Sequence, residues 1–255
     1  MKEELVNKLL KYLMTEKYFN IEDLKRDYSI KRRVLRGVIN ERQPLPISED
    51  ILKLEDKLLQ EELKEKELID VNSFKEQITL YQGDITTIKC DAIVNAGNEY
   101  LLGCFVPNHS CIDNQIHTYA GIRLRLKCNE IMQGSTLHNG EVVLTDGYNL
   151  PCKYVIHTVG PQVRNNITKE NEKDLKKCYL NSLELAKKNN IRSIVFPCIS
   201  TGFFGYPNKE AAILAFNTVN EYLKDNSKYF DHIVFNVFKD LDKEIYNKIK
   251  EDYNG

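Results

Sequence analysis

The segment Asp91-Ala92-Ile93-Val94-Asn95-Ala96-Gly97-Asn98 decides the fold class of this chain. Its apolar core, Ala92-Ile93-Val94, is typical of a strand buried on both faces, and the small and polar residues after it are typical of a loop. Similar apolar runs occur at Ile78-Thr79-Leu80, Val142-Val143-Leu144, Tyr154-Val155-Ile156, Ile194-Val195-Phe196 and Ile233-Val234-Phe235. We interpret all of these runs as buried strands.

Helical periodicity fills several of the intervals between these strands. The pattern predicts helices over residues 112 to about 133, 173–188, 209 to about 223 and 243–251. The polar, Asn-rich block 164–174 is typical of a surface loop. Alternating strands and helices favour an α/β fold with a largely parallel sheet covered on both faces. Ligands of such sheets bind beyond the carboxyl ends of the strands, so function is expected in the loops there.

Residues 1–72 follow a different pattern, and we interpret them as a helical N-terminal extension that precedes a second domain over 73–255. Apolar residues recur at helical spacing at Leu5, Leu9, Leu10 and Leu13 and again at Ile51, Leu54, Leu58 and Leu59. Pro44 and Pro46 separate these two helical stretches. Alternating charges over 53–67 indicate a solvated helix surface.

The composition argues against several classes of partner and location. The 255 residues include 36 Lys and Arg against 37 Asp and Glu, which gives a formal net charge of −1. This balance argues against a protein that coats nucleic acid or an anionic membrane. Seven scattered cysteines favour reduced thiols, and the N-terminal sequence lacks the pattern of an export signal. We therefore expect a cytoplasmic protein with no nucleic-acid or membrane partner.

Three loops that follow predicted strands carry groups suited to a nucleotide. Gly83-Asp84-Ile85-Thr86 offers a carboxylate that can accept from an amine such as that of adenine, although Gly-Asp is also typical of a simple turn. Asn95-Ala96-Gly97-Asn98 offers two amides that both donate and accept, as sugar hydroxyls require. The glycines and hydroxyls of Ile199-Ser200-Thr201-Gly202-Phe203-Phe204-Gly205-Tyr206-Pro207 expose backbone N–H groups to a diphosphate, without a P-loop or G-x-G-x-x-G pattern.

The order of these motifs resembles that of the macrodomains, which bind ADP-ribose, over roughly residues 74 to 255. The matching segments are 83–86, 91–98, Tyr154-Val155-Ile156-His157-Thr158-Val159-Gly160-Pro161 and Ser200-Thr201-Gly202. The resemblance implies a three-layer α/β/α fold with a mostly parallel, mixed central sheet, preceded here by a small helical region. It also implies that ADP-ribose is the ligand.

The resemblance places each part of ADP-ribose beside particular residues. Asp84 and Ile85 are expected at the adenine, where Phe238 is expected to stack. Asn95 and Asn98 are expected at the distal ribose. The expected diphosphate-binding residues are Ser200, Thr201, Gly202, Phe203 and Phe204. Related chains often carry a Glu at the position of Phe203, so contacts of that side chain are not carried over.

Cys104, His109 and Cys111 form a candidate metal site in the loop after Asn98. Two thiolates and one imidazole within eight residues suit Zn²⁺, and three protein ligands leave a fourth position for water or substrate. The alternative is that both cysteines are small packed residues and that the C-x4-H-x-C spacing arose by chance. Inside the ribose loop we favour zinc, with one ion per chain.

This loop resembles that of the zinc-containing macrodomains of bacteria and fungi, which act as protein-ADP-ribose hydrolases. In some bacteria they accompany a sirtuin-type ADP-ribosyltransferase and a lipoyl-carrier protein related to the glycine cleavage system. The resemblance therefore implies a zinc-dependent hydrolase that releases mono-ADP-ribose from Asp or Glu side chains of a modified protein. Asn98, Asp113 and Asn114 are the expected catalytic residues. The remaining expected ligand contacts in this region are Cys104 and Ile112.

Several alternatives stay open at the level of sequence. Asp113 also suits the N-cap of the helix that follows it, and the two roles are compatible. The chain could be a reader that binds ADP-ribosylated proteins without cleaving them, with a structural zinc. An RNA- or phosphoester-processing protein is disfavoured because there is no basic aromatic groove. We interpret the other candidate ligands as packed residues, namely His117, His157, Cys90, Cys128, Cys152, Cys178 and Cys198.

Overall fold

The computed structural model describes residues 1–16 and 26–254; residues 17–25 of the predicted extension and residue 255 lie outside the described residues. The helices of the described part are α1 (Lys2–Leu13), α2 (Tyr28–Glu41), α3 (Glu49–Leu63), α4 (Ile112–Ala120), α5 (Ile122–Met132), α6 (Lys169–Lys188), α7 (Asn208–Asn226) and α8 (Asp240–Asn254). None of these helices is long and apolar enough to cross a membrane.

The eight described strands form two sheets, of which the larger is the predicted central mixed sheet. They are β1 (Ile69–Asp70), β2 (Ile78–Gln82), β3 (Ile88–Lys89), β4 (Ala92–Ala96), β5 (Val142–Asp146), β6 (Tyr154–Thr158), β7 (Ser193–Phe196) and β8 (His232–Val237). The central sheet has the order β2-β8-β7-β4-β6-β5. Only its edge strand β5 is antiparallel to its neighbour. Every strand predicted from an apolar run is confirmed.

Helices cover both faces of this sheet because its buried strands alternate their side chains between two cores. On one face Ile194 and Phe196 pack with apolar residues of α6, α7 and α8. On the other face Val195 packs with apolar residues of α4 and α5. The predicted three-layer α/β/α arrangement is therefore confirmed.

Two predicted boundaries are wrong for identifiable reasons. The helix predicted over 112 to about 133 is two helices, because Gly121 adopts a φ of 94° that ends α4 and begins α5. The polar block 164–174 is a loop only up to Thr168. There Thr168 and Asn171 form a reciprocal capping box, so that α6 begins at Lys169.

The N-terminal helices α1, α2 and α3 form a small bundle against the rest of the molecule. Their apolar side chains, among them Leu9 and Leu35, build a separate cluster that also includes Ile122 of α5. The helix α2 was not predicted as a distinct element. The helical part ends at Leu63, and β1, within the predicted extension, already pairs with β3 of the larger domain.

Candidate functional site

The carboxyl ends of five parallel strands meet along one edge of the central sheet, where the predicted ligand loops also lie. Backbone hydrogen bonds join adjacent loops at this edge. The Gly83 amide donates to the Val237 carbonyl at 3.0 Å, and the Gly97 amide donates to the Thr158 carbonyl at 3.0 Å. The strand order β2-β8-β7-β4 places the three predicted loops along this one edge, as a ligand extended across several strands requires.

At the β2 and β8 end of this edge lie the residues expected at the adenine. One oxygen of Asp84 accepts from the backbone N and the hydroxyl of Thr86, at 2.9 and 2.7 Å. The other oxygen lies 3.7 Å from Nζ of Lys66. Phe238 follows β8 and is 78% exposed, whereas the Ile85 side chain is buried in the core. An exposed aromatic ring and a partly exposed carboxylate at this end suit an adenine ring. The contacts of Phe238 and Asp84 with adenine stay a prediction.

The loop after β7 is strained and tightly packed beneath. Ser200 has a φ of 67°, which an L-residue adopts only under constraint. Its hydroxyl oxygen is buried and has no hydrogen-bond partner among the described residues. A Cβ at Gly160 would lie 2.1 Å from that oxygen, so only glycine fits there. A buried hydroxyl without a partner is rare in a folded protein, and this one lies against the Gly160 backbone.

The remaining residues of this loop differ in what they offer. The Thr201 hydroxyl donates to the Cys198 carbonyl at 3.0 Å, and Phe204 packs against the core beneath α4 and α5. The side chain of Phe203 is 94% exposed. An added Cβ at Gly202 meets nothing within 4 Å. The backbone around Gly202 and Phe203 is thus open to solvent, and its N–H contacts with a diphosphate stay a prediction.

Asp113 sits at the centre of a buried network at the start of α4. Its Oδ1 accepts from Nδ2 of Asn95 at 2.8 Å, and its Oδ2 accepts from Nδ2 of Asn98 at 3.3 Å. Burial raises the pKa of Asp113 to about 6, although hydrogen bonds from both asparagines and the charge of Arg125 act to lower it. A carboxylate held by two amides is fixed in orientation.

The two asparagines of this network occupy different positions. Asn95 is fully buried, and its Nδ2 also lies 3.2 Å from Nδ1 of His157. Asn98 is partly exposed and donates to the Gly103 carbonyl at 3.1 Å. Asn98 therefore joins Asp113 to the loop surface, whereas Asn95 orients Asp113 from below. The predicted contact of Asn95 with a sugar stays a prediction.

The structure brings together the three predicted metal ligands in the 104–111 loop. The ligand atoms of Cys104, His109 and Cys111 all lie within 4.8 Å of one another. Sγ of Cys104 lies 3.5 Å from Nδ1 of His109. Sγ of Cys111 accepts from the backbone N of Asn114 at 3.4 Å, as the N-cap of α4. Two sulfurs and one imidazole at this spacing fit a zinc ion.

The surroundings of Cys111 favour its neutral thiol when no metal ion is bound. Burial raises the pKa of the Cys111 thiol to about 12, and the nearby Cys104 and Asp113 raise it further against the hydrogen bond from Asn114. Two thiolates cannot share this space unless a positive charge lies between them, and a coordinating thiol is deprotonated by its metal. The donor set thus matches zinc, with one coordination position left for a ligand from outside the protein.

Asn114, predicted as catalytic, has its amide fully engaged inside the protein. Nδ2 donates to the carbonyls of Cys104 and Val106 at 3.2 and 3.0 Å. Oδ1 accepts from Arg36 at 2.8 Å and from Thr118 at 3.3 Å. We therefore assign Asn114 to holding the loop. Arg36 lies on α2, and no sequence motif pointed to it.

A second cluster of candidate ligands lies in the core, where the sequence predicted packed residues. The ligand atoms of His117, Cys128 and His157 also lie within 4.8 Å of one another, and all three residues are buried. Burial lowers the pKa of His157 to about 3, so the ring is neutral. Nε2 of His117 lies 3.6 Å from Oδ1 of Asp113. Ile112 packs against the apolar cluster that contains Cys128. Cys90, Cys152 and Cys178 are buried, as predicted for packed residues, whereas Cys198 is partly exposed.

Comparisons with known proteins agree with this arrangement. The Macro domain family matches residues 94–215. A protein of Staphylococcus aureus (strain MSSA476) named protein-ADP-ribose hydrolase is 46% identical over 226 residues, covering 86% of this chain and 83% of the relative. A protein of Treponema medium with the same name is 39% identical over 253 residues, covering 94% of this chain and 96% of the relative.

The fold is also similar to solved structures. A Trypanosoma brucei macrodomain crystallised with ADP-ribose matches with a TM-score of 0.66 and 30% identity, covering 84% of this chain and 94% of that one. The match to the family and the extended similarity to its members agree with the strand order and loop placement described above. This chain belongs to the macrodomain family.

Proposed function

We propose that this protein is a hydrolase that releases ADP-ribose from modified proteins. The observation that carries the proposal is the convergence of Cys104, His109 and Cys111 beside the network of Asp113 and Asn98. A pure binding module needs contacts to the nucleotide but no such group of reactive side chains. The names of the Staphylococcus and Treponema relatives support the same activity.

Each part of the nucleotide is proposed to bind along this edge of the sheet. Adenine would stack on Phe238 with its amine at Asp84, and the diphosphate would lie over the backbone of 200–204. The distal ribose would then reach Asn98 and the 104–111 loop, since these follow the neighbouring strand β4. In this order, the bond between the ribose and the modified protein lies beside the 104–111 loop.

We further propose that Cys104, His109 and Cys111 hold one zinc ion per chain. Zinc in that loop supplies Lewis acidity beside the ribose. Asp113, held by Asn95 and Asn98, orients the sugar and the attacking water as a hydrogen-bond acceptor. The same amides keep the carboxylate in place through the reaction.

The substrate we propose is mono-ADP-ribose esterified to an Asp or Glu side chain. Water adds across the ester, the acyl C–O bond breaks, and the products are the free carboxylic acid and ADP-ribose with its hydroxyl restored. No redox partner is needed. A lipoyl-carrier protein modified by a sirtuin-type ADP-ribosyltransferase, as implied by the resemblance to the zinc-containing subgroup, is the candidate substrate.

The test compares Cys104→Ala with Cys90→Ala. Cys90 lies just before β4, at the opposite edge of the sheet from Cys104, and so controls for the loss of a thiol. Zinc content is measured by elemental analysis, turnover by release of ADP-ribose from an Asp/Glu-modified protein, and affinity for ADP-ribose by calorimetry. We expect Cys104→Ala to lose zinc and turnover but to keep its affinity within about threefold, since adenine and diphosphate contacts lie elsewhere.

Two outcomes would contradict parts of this proposal. Full turnover by a zinc-free protein would remove the metal from the mechanism. Tight binding of the modified protein by wild type without release of ADP-ribose would instead identify a reader, the alternative function. Cys90→Ala should match wild type in all three measurements.

A further inference from the structure

Helix α2 of the N-terminal bundle lies directly against the 104–111 loop. Nη2 of Arg36 donates to the His109 carbonyl and to Oδ1 of Asn114, both at 2.8 Å. Nδ2 of Asn114 in turn donates to the Cys104 carbonyl, and the backbone N of Asn114 donates to Sγ of Cys111. One guanidinium therefore reaches all three candidate ligand residues, either directly or through a single asparagine.

A second contact from α2 holds the middle of the loop. Oδ1 of Asn40 accepts from the backbone N of Asn108 at 3.0 Å, and Nδ2 of Asn40 donates to Thr118 of α4 at 3.1 Å. Asn108 has a φ of 55°, in the left-handed region that asparagine adopts more readily than most L-residues. Asn40 is 1% exposed, so this bond is shielded from water. It stabilises the backbone turn that precedes His109.

Helix α2 lies close to the 104–111 loop, and hydrogen bonds from α5 of the larger domain hold it there. A Cβ at Gly37 would lie 3.0 Å from Nδ2 of Asn108, so the helix backbone itself faces the loop. From α5, Arg125 donates to the carbonyls of Ile39 and Arg42 at 2.8 and 2.6 Å and to the Leu102 carbonyl at 2.7 Å. A buried cation thus ties the carboxyl end of α2 to the segment that enters the loop.

We propose that Arg36 and Asn40 are positioning residues that hold the 104–111 loop in the shape in which its three ligands converge. Through these residues the N-terminal bundle determines the shape of the candidate metal site. The identity of the ion rests on the proposed function, whereas the contacts that shape the loop require no ion. Arg36 touches no reacting atom and acts through Asn114 and the loop backbone.

The test compares Arg36→Met with Arg33→Met in the full chain. Arg33 lies one turn earlier on α2 and is exposed, so it controls for the loss of a helical arginine. Two rates are measured: zinc loss to a chromogenic chelator, and hydrogen exchange of peptides covering 104–111 by mass spectrometry, in zinc-loaded and chelator-treated protein. Asn40→Ala, which removes the acceptor for Asn108 without changing charge, is the second variant.

Loss of the charge-assisted hydrogen bonds of Arg36 should raise both rates about tenfold over Arg33→Met, with the affinity for ADP-ribose nearly unchanged. Asn40→Ala should show the same pattern and covers the case that Arg36→Met does not fold. Equal rates in the Arg36 and Arg33 variants would overturn the proposal, as would faster exchange without faster zinc loss. If wild type holds no zinc, the metal in the proposed function fails, and exchange in the metal-free protein alone decides this inference.

Discussion

At the scale of single residues, the packing of Gly160 beneath Ser200 fixes the shape of the loop expected at the diphosphate. A methyl group at position 160 would collide with the buried Ser200 hydroxyl, since the distance would be 2.1 Å. Overpacking of this kind costs about 1 to 3 kcal/mol. The strained backbone at Ser200 would relax, and the N–H groups presented by the loop would move.

We predict that Gly160→Ala lowers the melting temperature and weakens binding of ADP-ribose by about tenfold or more, as the displaced loop loses its phosphate contacts. Calorimetry measures both quantities. Gly202→Ala is the stability control, because its added Cβ meets nothing within 4 Å. An unchanged melting temperature in Gly160→Ala would show that the loop accommodates the added methyl group without a loss of stability.

Asp113 carries the second prediction at this scale. Asp113→Asn keeps the volume of the side chain but removes the charge that accepts from Asn95 and Asn98. Turnover should fall about 100-fold or more, as for the loss of a group that orients water or substrate. Zinc content should persist, because Asp113 is not among the three converging ligands. Asp225→Asn, on the surface of α7, should behave as wild type, and a variant of Asp113 with full turnover would exclude the residue from the reaction.

Sequence reasoning found the residues that are close in the chain and missed those that are not. Cys104, His109 and Cys111 share one short loop, and their spacing together with their place after Asn98 predicted that they converge. Arg36 is separated from Asn114 by 78 positions, and only the tertiary fold brings them together. The sequence predicts a catalytic role for Asn114, but it does not reveal that the loop, Arg36 and Thr118 engage the polar atoms of that amide.

At the scale of elements, the contact between α3 and α5 joins the N-terminal bundle to the larger domain. Oε2 of Glu55 accepts from the backbone N of Ile122 at 2.8 Å, at the amino end of α5. Gly121 makes room for this carboxylate, since a Cβ there would lie 3.1 Å from it. Glu55 is 2% exposed, although the charge pattern of 53–67 had predicted a solvated surface. Alternating charges do not show which of them a partner helix covers.

The buried Glu55 should make stability depend on pH. Burial raises its pKa from 4.5 to about 7, against the hydrogen bond from Ile122. The folded state therefore holds this proton more tightly than the unfolded state, so the free energy of unfolding should fall as pH rises from about 5 to 7, by at most ~3 kcal/mol. Urea denaturation across this range measures the effect.

Glu55→Gln should reduce this slope while it keeps an acceptor for the Ile122 amide. Glu61→Gln, on the same helix beside Lys64, should keep the slope of wild type. Identical slopes in wild type and Glu55→Gln would mean that Glu55 does not titrate in this range.

The starts of α5 at Ile122 and of α6 at Lys169 were not predicted from the sequence, because each depends on a cap that periodicity does not reveal.

At the scale of the whole molecule, the N-terminal bundle and the larger domain pack against each other through one apolar cluster. The cluster built by α1, α2 and α3 includes Ile122 of α5, and Leu126 packs against it. Arg123 of α5 also pairs with Glu49 and Asp56 of α3. We therefore expect one cooperative unfolding transition.

Leu9→Ala tests this cooperativity, because Leu9 is fully buried in the N-terminal cluster. Its truncation should lower the free energy of unfolding by about 2 to 5 kcal/mol and shift the whole calorimetric peak to lower temperature. Lys11→Ala, at an exposed position of α1, should leave the peak in place. A second peak that moves alone would show that the bundle unfolds independently.

The distance along the chain between α2 and the 104–111 loop also bears on the order of folding. The contacts of Arg36 and Asn40 with that loop and with α4 span 68 to 78 positions. Contacts between such remote segments form late, because closing a long loop costs entropy before any bond compensates. The pairing of β2 with β8 joins positions 78 and 233, which lie still further apart, so α2 can dock on the 104–111 loop before the central sheet is complete.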